Sequence, residues 1–246
     1  MGDEIMALGR AQALSALLGG PIGICDRHGR VRTHPIWRGS PAVADCAAAA
    51  VATLSDAGHC RPYIDYDRTT ADRWAFKPYR PSPARLAWVT PDPRGAGRIL
   101  IEPRIKQSAS PNKQWGRWQD LIDLAPGLPW AQMVPPGVTP LRGVERIETA
   151  TFEAAVNVLA AARLAVLPEG GLHHAAAAVG VRAIVLFGGF TGPEITGYPD
   201  QINLAVDMPA ARGWRVAHPA CAEAWRHVTP QAVLREVERE IEREAA

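Results

Sequence analysis

The stretch LPEGGLHHAAAAVGVRAIVLFGG, residues 167–189, decides how the rest of the chain is read. It begins inside an apolar run, LAVLP (164–168), breaks at Gly170–Gly171, continues through an alanine-rich segment and enters a second apolar run, RAIVLFG (182–188). Short apolar runs bounded by turn residues suit buried strands, and the segment between them has the length and composition of a helix. Strand, glycine turn, helix and strand form a unit that requires parallel strands.

The same alternation extends outwards. RILIEPR (98–104) predicts a buried strand, KQWGRWQDLIDLA (113–125) a helix and WAQMV (130–134) a strand. TFEAAVNVLAAAR (151–163) predicts a helix capped by Thr151, with Phe152, Ala155, Val156 and Leu159 on one face. The chain closes on TPQAVLREVEREIEREAA (229–246), with Thr229 as cap, Pro230 in the first turn and Val233, Leu234, Val237 and Ile241 as the buried stripe. Alternating strands and helices imply an α/β fold, a parallel sheet covered on both faces, with ligands in the crevice at the carboxyl ends of the strands.

The first half differs in texture. EIMALGRAQALSALLGG (4–20) and SPAVADCAAAAVATLSDAG (40–58) carry alanine-rich helical patterns, with one short strand expected at Ile22–Cys25 between them. From Arg61 to Gly97 prolines and aromatics accumulate, which disfavours long helices and suits extended segments and a linker. A boundary near Asp92–Gly97 divides the chain into residues 1–95 and 96–246.

Composition narrows the function classes. A chain of 246 residues with 47% hydrophobic content can bury a sizeable core. A formal net charge of +2 is too even to mark a nucleic-acid binder. No apolar run reaches membrane-spanning length, and the start MGDEIMALGRAQAL lacks the pattern of a signal peptide, so a cytoplasmic location is expected. Cys25, Cys46, Cys60 and Cys221 are spaced too widely for a zinc or redox motif. Adjacent histidines on a helix point about 100° apart, so His173 and His174 make a poor chelate and no metal is expected.

Chemically, a glycine turn opening a helix presents unpaired amides and the positive end of the helix dipole, an arrangement that receives phosphate. Glu169 just before the turn can accept hydrogen bonds from sugar hydroxyls, and His174 can add a donor. The same residues also suit a purely structural tight turn with packed histidines.

The stretch LPEGGLHHAAAAVGVRAIVLFGGFTGPEITGYPDQINL resembles the signature of glycosyltransferase family 9, the family of ADP-heptose lipopolysaccharide heptosyltransferases. IEPRIKQSASPNKQWGRWQDLIDLA is similar to the family's strand, loop, Lys-x-Trp and helix, and GDEIMALGRAQAL resembles its N-terminal Gly-Asp loop and first helix. The resemblance implies a GT-B fold, two Rossmann-like domains facing across a cleft, with residues 1–95 on the acceptor side and 96–246 binding the nucleotide sugar. It implies catalytic roles for Asp3, as the base that deprotonates the acceptor hydroxyl, and for Lys113, which neutralises the departing diphosphate. Donor binding falls to Glu169, Gly170, Gly171, Leu172 and His174, whereas His173 occupies a variable position. The implied reaction is an inverting, metal-independent transfer without a cofactor, from a nucleoside diphosphate sugar to a hydroxyl of a glycan or other polymer.

Departures from the family qualify this. Met1 directly precedes Gly2, where the family has a first strand, so a reduced N-terminal domain is expected. Glu169 stands where the heptosyltransferases have aspartate, which leaves the donor sugar open. Arg61, Tyr63, Tyr66, Arg68, Arg73, Trp74, Lys77, Tyr79, Arg80, Arg85 and Trp88 suit either an acceptor surface, for sugars or an anionic polymer including DNA, or loops packed on a domain. Two other classes remain: a non-catalytic nucleotide-sugar or glycan binding protein, and an epimerase or hydrolase using His28, His34 or His59.

Overall fold

The structure is a computed structural model that describes residues 1–26, 28–55, 61–105 and 111–245. The chain opens with helix α1 (Gly2–Leu18), followed by strands β1 (Ile22–Cys25), β2 (Val43–Ala44) and β3 (Ala52–Ser55), then the pair β4 (Ile64–Asp65) and β5 (Ala75–Phe76). Next come β6 (Ile99–Ile101), α2 (Trp118–Leu124), β7 (Trp130–Val134), β8 (Glu145–Glu148), α3 (Phe152–Leu159) and β9 (Leu164–Pro168). The chain ends with α4 (Gly171–Val179), β10 (Ala183–Phe187), α5 (Pro193–Thr196), β11 (Ile202–Ala205), α6 (Pro219–His227) and α7 (Pro230–Ala245).

Strands β6 to β11 form a six-stranded sheet in the order β11-β10-β9-β6-β7-β8, with every pairing parallel. From β6 the chain winds outwards through β7 and β8, then returns to add β9, β10 and β11 on the other side. The order therefore reverses between β6 and β9, which opens a crevice at their carboxyl ends. Alternation along the strands feeds two cores. Leu100, Ala131, Ala165, Leu167 and Val185 face one side with Val156 of α3 and Ala175 of α4. Ile99, Ile101, Val166 and Ile184 face the other with Leu121 of α2 and Val233 and Val237 of α7.

The first of those cores continues into the N-terminal part without a break, taking in Ile5 and Leu8 of α1 and Ile22 and Ile24 of β1. Helix α1 lies against α4 at an interface of small residues. A Cβ on Gly2 would meet Cδ2 of His174 at 2.7 Å, and one on Gly171 would meet the Phe152 ring at 3.3 Å. Glycine at both positions lets the starts of the two helices touch.

Several sequence expectations need correction. The alanine-rich segment 40–58 forms no long helix over its described residues: Val43–Ala44 and Ala52–Ser55 are strands flanking β1 in a parallel three-stranded sheet. Ala47, Ala48 and Ala49 are exposed, so alanine propensity had no apolar face to bury, and pairing with β1 prevailed. The helix expected from Lys113 starts only at Trp118, and Lys113 ends a 3-10 turn, Pro111–Lys113. The sequence patterns above do not foreshadow strands β8 and β11 or helix α6. In Glu145–Glu148 only Ile147 is buried, the mark of an edge strand. The caps at Thr151 and Thr229 form as expected, accepting from the amides of Ala154 and Ala232.

Candidate functional site

A cleft of about 380 Å³ lies at the β6/β9 reversal point, closed on one side by the start of α1. Asp3, Lys113, Glu169, Gly170, Gly171, Leu172 and His174 all line it. So do Arg61, Tyr63 and Trp74 from the segment around β4 and β5, Glu102 and Arg104 just beyond β6, and Phe190 beyond β10.

Strand β9 ends in Pro168, and Glu169 is delivered into the cleft with its side chain only 7% exposed. Lys113 Nζ forms an ion pair with Glu169 Oε2, and the ammonium stands 4.9 Å from the centre of the Phe190 ring. Burial alone would push the Glu169 carboxyl up, but Lys113 and then His173 outweigh it and hold it below the ordinary value.

His173 is fully buried and braces the glycine turn. Its Nδ1 accepts from the Gly170 amide at 2.9 Å, so its Nε2 carries the proton donated to the Thr196 carbonyl at 2.8 Å. His174 Nδ1 lies 2.9 Å from the Tyr198 hydroxyl. Burial lowers the pKa of both imidazoles, that of His174 well below the usual value. The rings do not diverge as helix geometry suggested. Their centroids are 3.9 Å apart because both reach the 196–198 loop.

Glu169, His173 and His174 offer ligand atoms within 4.8 Å of one another, the arrangement a metal would need. The chemistry of the trio points elsewhere. One His173 nitrogen spends its lone pair on Gly170, the other carries a proton, and Glu169 is paired with Lys113.

The glycine turn also differs in detail from expectation. The Gly170 amide is taken by His173, so the amides left for an anion are those of the first turn of α4 beyond it. The room at Gly171 is filled by Phe152 and Gly2, whereas a Cβ on Gly170 would meet only the Pro168 carbonyl oxygen, at 4.0 Å.

Asp3 sits in the first turn of α1, beside the start of α4. Both of its carboxylate oxygens are engaged: Oδ2 accepts from Arg61 Nε at 2.8 Å and Oδ1 from the Tyr63 hydroxyl at 2.9 Å. Burial works against the Arg61 charge, but Asp3 outweighs it and the guanidinium pKa rises. Tyr63 is pushed well above the ordinary phenol value, first by burial and then by the charges of Asp3 and Glu169. Glu102 is clamped by Arg104, whose Nε and a terminal nitrogen each donate at 2.7 Å.

The other sequence candidates fall outside the cleft or are used in packing. Tyr63 packs with Phe76 and Tyr79, and Trp74 has the Arg61 and Arg215 guanidinia 5.1 and 5.4 Å from its ring. Arg38 lies 4.6 Å from the Trp88 ring. Arg73 donates to the carbonyls of Arg212 and Pro209. His34 caps a 3-10 turn and His28 sits on an exposed turn, so neither lines the cleft. His59 and Cys60 lie outside the described residues. Glu102, Arg104 and His173 had no assigned role from sequence. Only the Glu-x-Arg pair directly after a strand was a readable signal for the first two.

Fold and cleft together define a class: a mixed α/β protein with a six-stranded parallel sheet, consistent with a glycosyltransferase fold resembling GT-B. The chain is heptosyltransferase-like in fold. It matches the bacterial iron-containing dodecameric glycosyltransferase TibC from enterotoxigenic E. coli with TM-score 0.54 and 17% identity, over 68% of this chain and 50% of that one. The TibC heptosyltransferase in complex with ADP-D-beta-D-heptose matches with TM-score 0.51 and 17% identity, over 66% and 50% of the two chains. E. coli heptosyltransferase WaaC with ADP matches at 0.46 and 20%, over 61% and 46%. The chain thus spans about half the length of these structures. Neither a family model nor a curated protein matches the sequence. Among the described residues no helix is long and apolar enough to cross a membrane.

Proposed function

We propose that this chain is a glycosyltransferase that moves a sugar from a nucleoside diphosphate sugar to a hydroxyl of a glycan or other polymer acceptor. The observation that carries this is the convergence of Asp3, Lys113 and the Glu169–His174 turn, which are far apart in sequence, in one cleft at the reversal point of a parallel sheet. In this reading the first amides of α4 and the Lys113 ammonium receive the diphosphate, and Glu169 and His174 meet the sugar. Asp3, which lines the cleft from the start of α1, takes the proton of the acceptor hydroxyl. The acceptor oxygen forms its bond to the anomeric carbon from the face opposite the diphosphate, whose bond to that carbon breaks, and the nucleoside diphosphate leaves. The centre is inverted, and Lys113 supplies the positive charge that balances the leaving group, with no metal or cofactor.

That Asp3 lines the cleft supports transfer over a purely binding role. The cleft lacks the additional histidines that an epimerase or hydrolase reading called on from the first half, as far as the described residues go. Calorimetry with ADP, UDP, GDP and their sugars in a chelating buffer tests donor binding. Strict dependence on magnesium or manganese would overturn the metal-free reading, and failure of every nucleotide sugar to bind would overturn the donor site. Acceptor panels including oligosaccharides and hydroxylated DNA, scored by mass spectrometry for transfer, then separate glycan from nucleic-acid acceptors.

A further inference from the structure

Among the described residues the cleft is lined by the side-chain cations Arg61, Arg104 and Lys113, and each is already paired with a carboxylate that also lines it: Asp3, Glu102 and Glu169. An anion entering the empty cleft therefore meets internal ion pairs. The pair nearest the glycine turn is also the most enclosed, with Glu169 7% and Lys113 22% exposed at their side chains. Glu169 directly precedes Gly170, so a phosphate held by the first amides of α4 comes to lie beside its carboxylate.

Two anions cannot share one lysine in a buried place without large cost. Like charges at close quarters favour neutralisation of one of them, and a buried carboxylate deprived of its counter-ion is destabilised further by the lack of water. The bridged diphosphate of a nucleotide sugar is too strongly acidic to take a proton near neutrality, whereas a carboxyl is not. The groups facing Glu169 are Lys113 from the 3-10 turn, His173 from α4, Thr196 at the end of α5 and Tyr63 from the approach to β4. His173 cannot supply the proton, because its Nε2 hydrogen is donated to the Thr196 carbonyl and its Nδ1 accepts from Gly170. Tyr63 keeps its proton, its hydroxyl donating a hydrogen bond to Asp3. Lys113 must stay an ammonium to hold the diphosphate, so the proton comes from solvent.

We propose that the Lys113–Glu169 pair is an exchangeable latch: a nucleotide sugar takes Lys113 onto its diphosphate, and Glu169 binds one proton from solvent as the ligand enters. This rests on the donor-site reading above and adds to it a pH-linked control of occupancy. In the empty cleft Glu169 is ionised, held so by Lys113. In the occupied cleft it is a neutral carboxylic acid, able to donate as well as accept a hydrogen bond toward sugar hydroxyls.

The test is calorimetry of the intact protein with ADP-glucose, UDP-glucose and GDP-mannose, whose diphosphates carry no group titrating near neutrality. Each titration is repeated at pH 7.5 in buffers of different ionisation enthalpy. The slope of the observed enthalpy against buffer ionisation enthalpy counts protons, and the expected value is uptake of about one per ligand, with affinity falling by up to about tenfold per pH unit above neutrality. Glu169→Gln, which resembles the protonated side chain, is expected to bind with zero slope and no such pH dependence. Binding by the wild type with no proton uptake overturns the latch and leaves the donor site standing. Failure of all three probes with both proteins overturns the donor site and the latch together. Should Glu169→Gln not fold, the wild-type buffer series alone decides.

Discussion

Replacing Lys113 by methionine keeps a long apolar stem against Phe190 and removes the only counter-charge that an ion pair gives the Glu169 carboxylate among the described residues. Breaking a buried pair by removing one partner costs about 3–5 kcal/mol, because it strands the other charge. Lys113 is 22% exposed, so water reaches its end of the pair, and the stranded carboxyl can lower the cost by binding a proton. A loss of about 2–3 kcal/mol at pH 7.5 is therefore expected. The sign of its pH dependence follows from the direction of the shifts. In the wild type the folded carboxyl lies below its unfolded value, so its contribution is present above the unfolded pKa and is lost as pH falls through the folded one. In Lys113→Met burial dominates and raises the folded value, so the penalty grows as pH rises from the unfolded value to the raised one. The gap between the proteins should be widest above neutrality and close in acid. Urea unfolding followed by tryptophan fluorescence at a series of pH values measures it. A variant within about 0.5 kcal/mol of wild type at pH 7.5, or a deficit that does not shrink in acid, would show that Lys113 does not hold the Glu169 charge.

Three other outcomes are expected. Asp3→Asn should leave nucleotide-sugar affinity nearly intact while turnover falls by roughly two to four orders of magnitude, seen as a kcat effect without a donor KM effect; wild-type turnover would remove Asp3 as the base. Gly213 has φ +76° and a Cβ there would run into the Trp74 carbonyl oxygen, so Gly213→Ala should cost roughly 1–3 kcal/mol. It should also break the Arg73–Trp214 bridge that anchors the β5 segment, read as faster hydrogen exchange at Trp74. Trp115 is 1% exposed, donates to the Val228 carbonyl at 2.9 Å and meets Trp118 edge-on, so Trp115→Phe should lower stability by about 1–3 kcal/mol in thermal or urea unfolding.

Much of the sheet was legible because its signals are local. The run 164–168 is apolar at every position and 130–134 at every position but Gln132, and both were expected as buried strands, while the caps at Thr151 and Thr229 are set by a residue and its near neighbours. The 40–58 segment misled for the converse reason. Its alanines favour a helix in isolation, but the energy that decides lies in pairing with β1, a partner some thirty residues earlier in the chain.

In the same way the Glu169–His174 turn could be read along the chain, since strand end, glycines and helix start adjoin, and the resemblance to known transferases added Asp3 and Lys113. What those groups do to one another follows from folding alone. Asp3 meets Arg61 and Tyr63 across 58 and 60 residues, and Lys113 meets Glu169 from a separate crossover of the sheet. His173 turned from a variable position into the brace of the glycine turn once Thr196 was brought beneath it. Charge and hydrogen-bond partners act through space over a few ångströms, and local sequence patterns carry no record of which distant residue will stand there.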